Sequence, residues 1–71
     1  MASTEDIQQH QQRLEIHRRN LAHYLSQFAL LGSAYVPPGI VNGIAEEQNN
    51  IRRVKDVLRE WGVLVEDGGR V

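Results

Sequence analysis

The sequence predicts an all-α chain, an antiparallel two-helix hairpin of coiled-coil type that assembles into a four-helix bundle by oligomerisation. Three observations predict it. Two long stretches, one before and one after residue 32, carry apolar residues at heptad spacing. The segment "GSAYVPPG" separates them with a glycine and two adjacent prolines. The chain has 71 residues and no cysteine, so it holds one small domain with no disulfide to staple it.

The first helix is predicted over 4–31. Ser3 or Thr4 can cap it, and Glu5 and Asp6 suit the positive end of the helix dipole. Neither proline nor glycine interrupts it before Gly32. Ile7, Leu14, Leu21 and Phe28 are spaced by seven, and His10, His17, Tyr24 and Leu31 each follow by three. This seam is half polar in its second row. Ile16, Ala22, Ala29 and Leu30 lie off it, and Leu25 adds to the apolar character of residues 21–31. A helix that is apolar on more than one face is buried on more than one side.

The corner is predicted over 32–37. Gly32 stops the first helix, "SAYV" is expected to be extended, and Pro37 or Pro38 opens the second helix where a missing N–H costs nothing. That helix is predicted over 38–61. Its seam is Ile40, Ile44, Glu47, Ile51, Val54, Leu58 and Trp61, with one polar member. Gly39 and Gly43 weaken its first turns by roughly 1 kcal/mol each relative to alanine, unless Gly43 instead permits a close backbone approach. Gly62 ends the helix, and an extended tail is expected over 62–71, with "GGRV" flexible. Folding at the corner pairs Leu31 with Ile40, Phe28 with Ile44, Leu21 with Ile51, Leu14 with Leu58, and His10 with Trp61.

The formal net charge is −1, without the basic excess of a nucleic-acid binder. Arg13, Arg18, Arg19, Arg52, Arg53, Lys55 and Arg59 are interrupted by acidic neighbours, which favours a solvated helical face over a phosphate-binding one. No apolar run approaches the ~20 residues of a membrane span. The opening "MASTEDIQQHQQ" is polar and acidic, unlike a signal peptide, and a cytoplasmic location is expected. His10 and His17 stand too far apart on one helix to share a metal ion within the chain. They read as soft polar positions in the seam, or as a pH-sensitive interface. Gln27 is expected to bond the corner backbone, or alternatively a partner chain. No nucleophile motif, P-loop or enclosed pocket is foreseen, so no catalysis, cofactor, metal or small-molecule substrate is expected.

The stretch "HRRNLAHYLSQFALLGSAYVPPGIVNGIAEEQNNIRRVKDVLREWGV" resembles a short helical module of large bacterial signalling and conflict proteins. Those proteins carry NACHT or other STAND-type ATPases, or effector domains of TIR, CHAT or caspase-like type. Leu21, Tyr24, Leu25, Gln27, Ala29, Gly32, Val36, Pro37, Pro38, Ile40, Ile44 and Ile51 carry the resemblance, and the "VPP" corner is its distinctive part. Glu47 departs from it, where a small or apolar residue is expected. The resemblance implies a non-catalytic adaptor that links or assembles its host protein.

The expected function is therefore protein–protein interaction, with the chain as its own partner in a dimer or tetramer. The interface and core are expected from Leu14, Leu21, Tyr24, Leu25, Phe28, Leu30, Leu31, Ile40, Ile44, Ile51, Val54, Leu58 and Trp61, with Gly32, Pro37 and Pro38 as the corner. The alternatives are a hetero-adaptor that captures a different hairpin, and a nucleic-acid-binding accessory helix pair.

Overall fold

A computed structural model describes residues 2–65 of the chain. Helix α1 spans Thr4–Leu31 and helix α2 spans Pro38–Glu60. The two pack against each other as a hairpin, joined through a short 3₁₀ turn at Ser33–Tyr35. Residues 66–71, including "GGRV", lie outside the described residues, so the expectation of a flexible end is not addressed.

Each helix end is built from local hydrogen bonds. At the start of α1 the Ser3 hydroxyl accepts from the Asp6 N–H at 3.1 Å, and the Asp6 carboxylate accepts from the Ser3 N–H at 3.3 Å. This reciprocal capping box satisfies donors that the first turn would otherwise leave open. At the far end of α1 the Gly32 N–H still donates to the Phe28 carbonyl at 3.1 Å. Gly32 then leaves the helix at φ 76° and ψ 159°, a conformation closed to residues with a Cβ.

The corner differs from the expected extended run. Ser33–Tyr35 makes a 3₁₀ turn, with the Tyr35 N–H donating to the Gly32 carbonyl at 3.4 Å. Only Val36 (φ −77°, ψ 122°) and Pro37 (φ −61°, ψ 147°) are extended. The reason is that proline restricts only the residue directly before it, and these two precede Pro37 and Pro38. Pro38 is the first residue of α2, and the Pro37 carbonyl accepts from the Ile40 N–H at 3.0 Å.

Helix α2 ends in a Schellman turn. The Val63 N–H donates back to the Leu58 carbonyl at 2.9 Å, and the Gly62 N–H to the Arg59 carbonyl at 3.0 Å. Gly62 takes φ 77° to close it. Residues 63–65 then turn back past Leu58 toward Gln11, Leu14 and Arg18 of α1 rather than running on beyond the helix.

Among the described residues the core is thin. Leu58 is fully buried, Leu14 is 6% exposed, and no other large apolar side chain is buried. Gly43 is the third buried position, and Tyr24 is the reason. A Cβ built on Gly43 would lie 2.6 Å from Cζ of Tyr24 and within 2.9 Å of both Cε atoms. The tyrosine ring therefore rests on the bare α-carbon, where any side chain would collide with it. The molecule extends over 47 × 21 × 15 Å, with a radius of gyration of 14.1 Å. A compact domain of this length would have a radius of about 11 Å.

Two glycines in α2 make opposite predictions. Gly39 has open space around its α-carbon. Gly39→Ala is expected to stabilise the hairpin by about 0.5–1 kcal/mol through helix propensity. Gly43→Ala gains the same propensity but must displace the Tyr24 ring, for a net loss of about 1–3 kcal/mol. Thermal melts followed by circular dichroism at the helix band check both, and a Gly43→Ala melt at or above wild type would contradict the close approach.

Candidate interaction surface

The residues expected to form the interface divide into three groups. Leu14 and Leu58 are buried. Leu21, Tyr24, Leu25, Phe28, Ile40, Ile44, Ile51, Val54 and Trp61 are half-buried along the seam. Leu30 and Leu31 face solvent, Leu30 at 86% exposure, and the corner residues Gly32, Pro37 and Pro38 are exposed. Ile16, Tyr35 and Val41 are also exposed large side chains, while Ala22 and Ala29 are exposed small ones.

Three contacts define how the helices meet. At the open end, the rings of His10 and Trp61 pack edge to face, with centroids 4.6 Å apart and planes at 73°. In the middle, Nδ1 of His17 lies 2.8 Å from Oε2 of Glu47. Nearer the corner, Tyr24 meets Gly43. The pairing of His10 with Trp61 is legible in the heptads. The other two require the actual rotation of each helix about its axis.

The His17–Glu47 pair brings together a polar residue from each seam. Their side chains are 25% and 12% exposed. The second carboxylate oxygen of Glu47 accepts from the Asn50 amide at 3.4 Å. A carboxylate only accepts, so Nδ1 of His17 carries the hydrogen of their bond. The same holds for His10, whose Nδ1 lies 3.1 Å from the Asp6 carbonyl oxygen. Gln27 does not bond the corner backbone as expected. Its amide nitrogen lies 3.3 Å from Nε2 of His23, one turn earlier on the same exposed side of α1. A side chain four residues away on one helix is nearer than a corner that turns off at Gly32.

The hairpin has two flanks, and they differ. An α-helix turns by about 100° per residue. Seen end-on, antiparallel neighbours turn in opposite senses, so the residues after a pair meeting on one flank emerge together on the other. Tyr24 and Gly43 meet on one flank. Leu25 and Ile44 therefore come out on the opposite one, with Ala22 and Ala29 beside Leu25 and with Val41 and Ile51 beside Ile44. Further along α1 the same flank carries Arg18 and Gln11, each seven residues on. There, Val63, Leu64 and Val65 line with Leu14 and Leu58 a shallow groove of about 330 Å³. Val63, Leu64 and Val65 thus border the open half of this flank without sealing it, and Leu64 itself is 92% exposed.

Charge is segregated along the hairpin in the same way. No Asp, Glu, Lys or Arg occurs from Asn20 to Ala45, so the half near the corner has none. Among the described residues all of them lie in the open half, in mixed sign. Glu15 and Arg19 approach to 3.6 Å on α1, and Asp56 sits among Arg52, Lys55 and Arg59 along α2. Among the described residues no group of three or more His, Asp or Glu side chains converges as metal ligands would, and no helix is long and apolar enough to cross a membrane. Comparison with models of known protein families, with curated proteins and with solved structures finds no match.

The polar pair generates a test. His17→Leu leaves the shielded Glu47 carboxylate short of a donor, with an expected loss of about 1–3 kcal/mol. The double variant His17→Leu/Glu47→Leu restores an apolar seam and is expected to be at least as stable as wild type. Denaturant titration of the three proteins reads this directly. A double variant less stable than His17→Leu would contradict the pairing.

Proposed function

We propose that this chain is a non-catalytic interaction module that associates with copies of itself. The observation that carries this reading is the thin core. Among the described residues only two large apolar side chains are buried, and Leu30, Leu31, Tyr35, Val41 and Ile16 stand in water. Each such side chain gains roughly 1.5–3 kcal/mol when fully buried. Isolated helices of this length are marginal in water, and tertiary packing of their apolar faces supplies most helical stability. The area points the same way. The chain exposes 5472 Å². A compact monomer of 8.1 kDa would expose about 4,500 Å². The excess belongs to an elongated hairpin with little interior, 47 Å long and 15 Å across its narrowest axis.

In a cell the module would link or gather the domains of a larger protein. The resemblance at the "VPP" corner suggests a cytoplasmic bacterial signalling or immunity protein in which effector and sensor domains are brought together. A second reading, capture of a different helical hairpin, uses the same exposed side chains. Binding of a nucleic acid has less support, because Asp56 interrupts the basic row of α2.

The test is the mass in solution. Light scattering at micromolar concentration is expected to give at least twice 8.1 kDa. A folded, helical monomer at that concentration would overturn self-association and leave the exposed face to a different partner.

A further inference from the structure

We infer that the corner of the hairpin enters the surface of a lipid bilayer, as an apolar tip that reaches the boundary between headgroups and acyl chains. This goes beyond self-association and does not rest on it. In a bundle of hairpins aligned side by side the corners lie at the end, so one chain can do both.

Three observations select lipid as the occupant. The first is where the exposed apolar groups stand. Among the described residues six large apolar side chains are exposed, and four of them belong to the corner: Leu30 at 86%, Leu31 at 45%, Tyr35 at 82% and Val41 at 49%. They come from α1, from the 3₁₀ turn and from α2. Leu30 and Leu31 point about 100° apart on their helix. No single helix face holds the four. The second is charge. Residues 20–45 carry no Asp, Glu, Lys or Arg, so the corner half lacks them on every face. A protein partner needs one face free of charge. A medium that surrounds the tip needs all of them free, because charge is costly to take into hydrocarbon. Residues 28–41, "FALLGSAYVPPGIV", have one serine and one tyrosine as their only polar residues. Tyrosine is at home where headgroups meet acyl chains.

The third is the contrast between helix ends. At the open end α1 starts with the Ser3–Asp6 capping box and Glu5, and α2 has Arg59 in its last turn. Such groups suit helix ends in water. At the corner α1 has no basic residue in its last turn, and α2 has no acidic residue in its first turn and no side-chain cap. Pro37 and Pro38 stand there instead, and neither has an N–H to leave open. The Ile40 N–H donates to the Pro37 carbonyl at 3.0 Å, and the Tyr35 N–H to the Gly32 carbonyl at 3.4 Å. The prolines remove donors and the turn engages others, which lowers the cost of placing the corner where water is scarce.

The depth is bounded by the same residues. Interfacial helices sink by about 5–10 Å. Along α2 the first charged residue is Glu46, about 12 Å from Pro38, and along α1 it is Arg19, about 18 Å from Leu31, at 1.5 Å per residue. Both stay outside the hydrocarbon. No described helix is long and apolar enough to cross a bilayer, so the tip enters one leaflet and the hairpin stands off the surface.

Flotation of the whole chain with phosphatidylcholine vesicles tests this. The wild type is expected to float with the vesicles and to stay bound in high salt, because the contact is apolar. Leu30→Glu/Tyr35→Glu changes two exposed sites, so it should keep its helical circular dichroism. It is expected to lower partitioning by roughly tenfold or more. Ile16→Glu, in the open half, is expected to float as the wild type does. A second measurement leaves the tip intact. The chain has no cysteine, so Ala34→Cys and Gln12→Cys each take one environment-sensitive dye. Emission from position 34 is expected to shift to the blue when vesicles are added, and emission from position 12 to stay unchanged. A wild type that stays in solution would overturn the inference. So would binding confined to vesicles containing phosphatidylserine and lost in high salt, a tip variant that floats as well as wild type, or equal shifts at both dye positions. Light scattering without lipid separates this from self-association. If Leu30→Glu/Tyr35→Glu breaks an oligomer there, the corner serves a second copy and the lipid contact is overturned. A wild-type monomer that floats would overturn self-association and support the lipid contact.

Discussion

The structure depends on one close approach, the ring of Tyr24 on the bare α-carbon of Gly43. A heptad seam says that two helices pack, but it tolerates rotation of either helix by tens of degrees. A contact that excludes even a methyl group does not. It sets the separation of the axes near the corner and turns Leu25 and Ile44 to the opposite flank. The asymmetry of the two flanks follows from that rotation. So does the placement of the exposed alanines, which would otherwise be unremarkable positions on a long helix.

The polar pair at the middle of the seam acts in a different way. Glu47 is shielded and has both oxygens engaged, by His17 and by Asn50. An apolar pair would pack there at least as well. What the hydrogen bond adds is register. Sliding one helix along the other by a turn leaves Leu against Ile with little penalty. It would take the His17 donor away from the Glu47 carboxylate and leave it Asn50 of its own helix alone. Three contacts of different chemistry, an aromatic pair, a hydrogen bond and a ring on glycine, therefore define the hairpin along its length.

Much of the backbone was legible in the residues. The uninterrupted run before Gly32 and the prolines at 37 and 38 mark two helices and a bend, because glycine and proline act locally and their effect does not await tertiary contacts. The Ser33–Tyr35 turn was not legible. The proline rule reaches back one residue only, and the three before it were free to coil. Gln27 was misassigned to the corner because sequence shows which groups lack partners and not which are within reach. The pairing of His17 with Glu47 lies outside any fixed sequence separation. A signal was present, since each seam has a polar residue that needs an answer on the other helix. The placing of Val63–Val65 beside Leu14 and Leu58 is legible only in part. Two valines at alternate positions after a helix-ending glycine need cover, but their direction follows from the Schellman turn at Gly62.

The ring contact at the open end has an optical consequence. Trp61 is the only tryptophan in the chain, and it rests against His10, a residue 51 positions earlier. The indole environment changes when this contact opens, so the fluorescence of Trp61 senses whether the open ends of the two helices are together. The corner lies at the other end of a 47 Å molecule. A dye placed there would respond to its neighbourhood alone. The protein thus carries its own spectroscopic marker for closure of the helices, at the opposite end of the molecule from the corner.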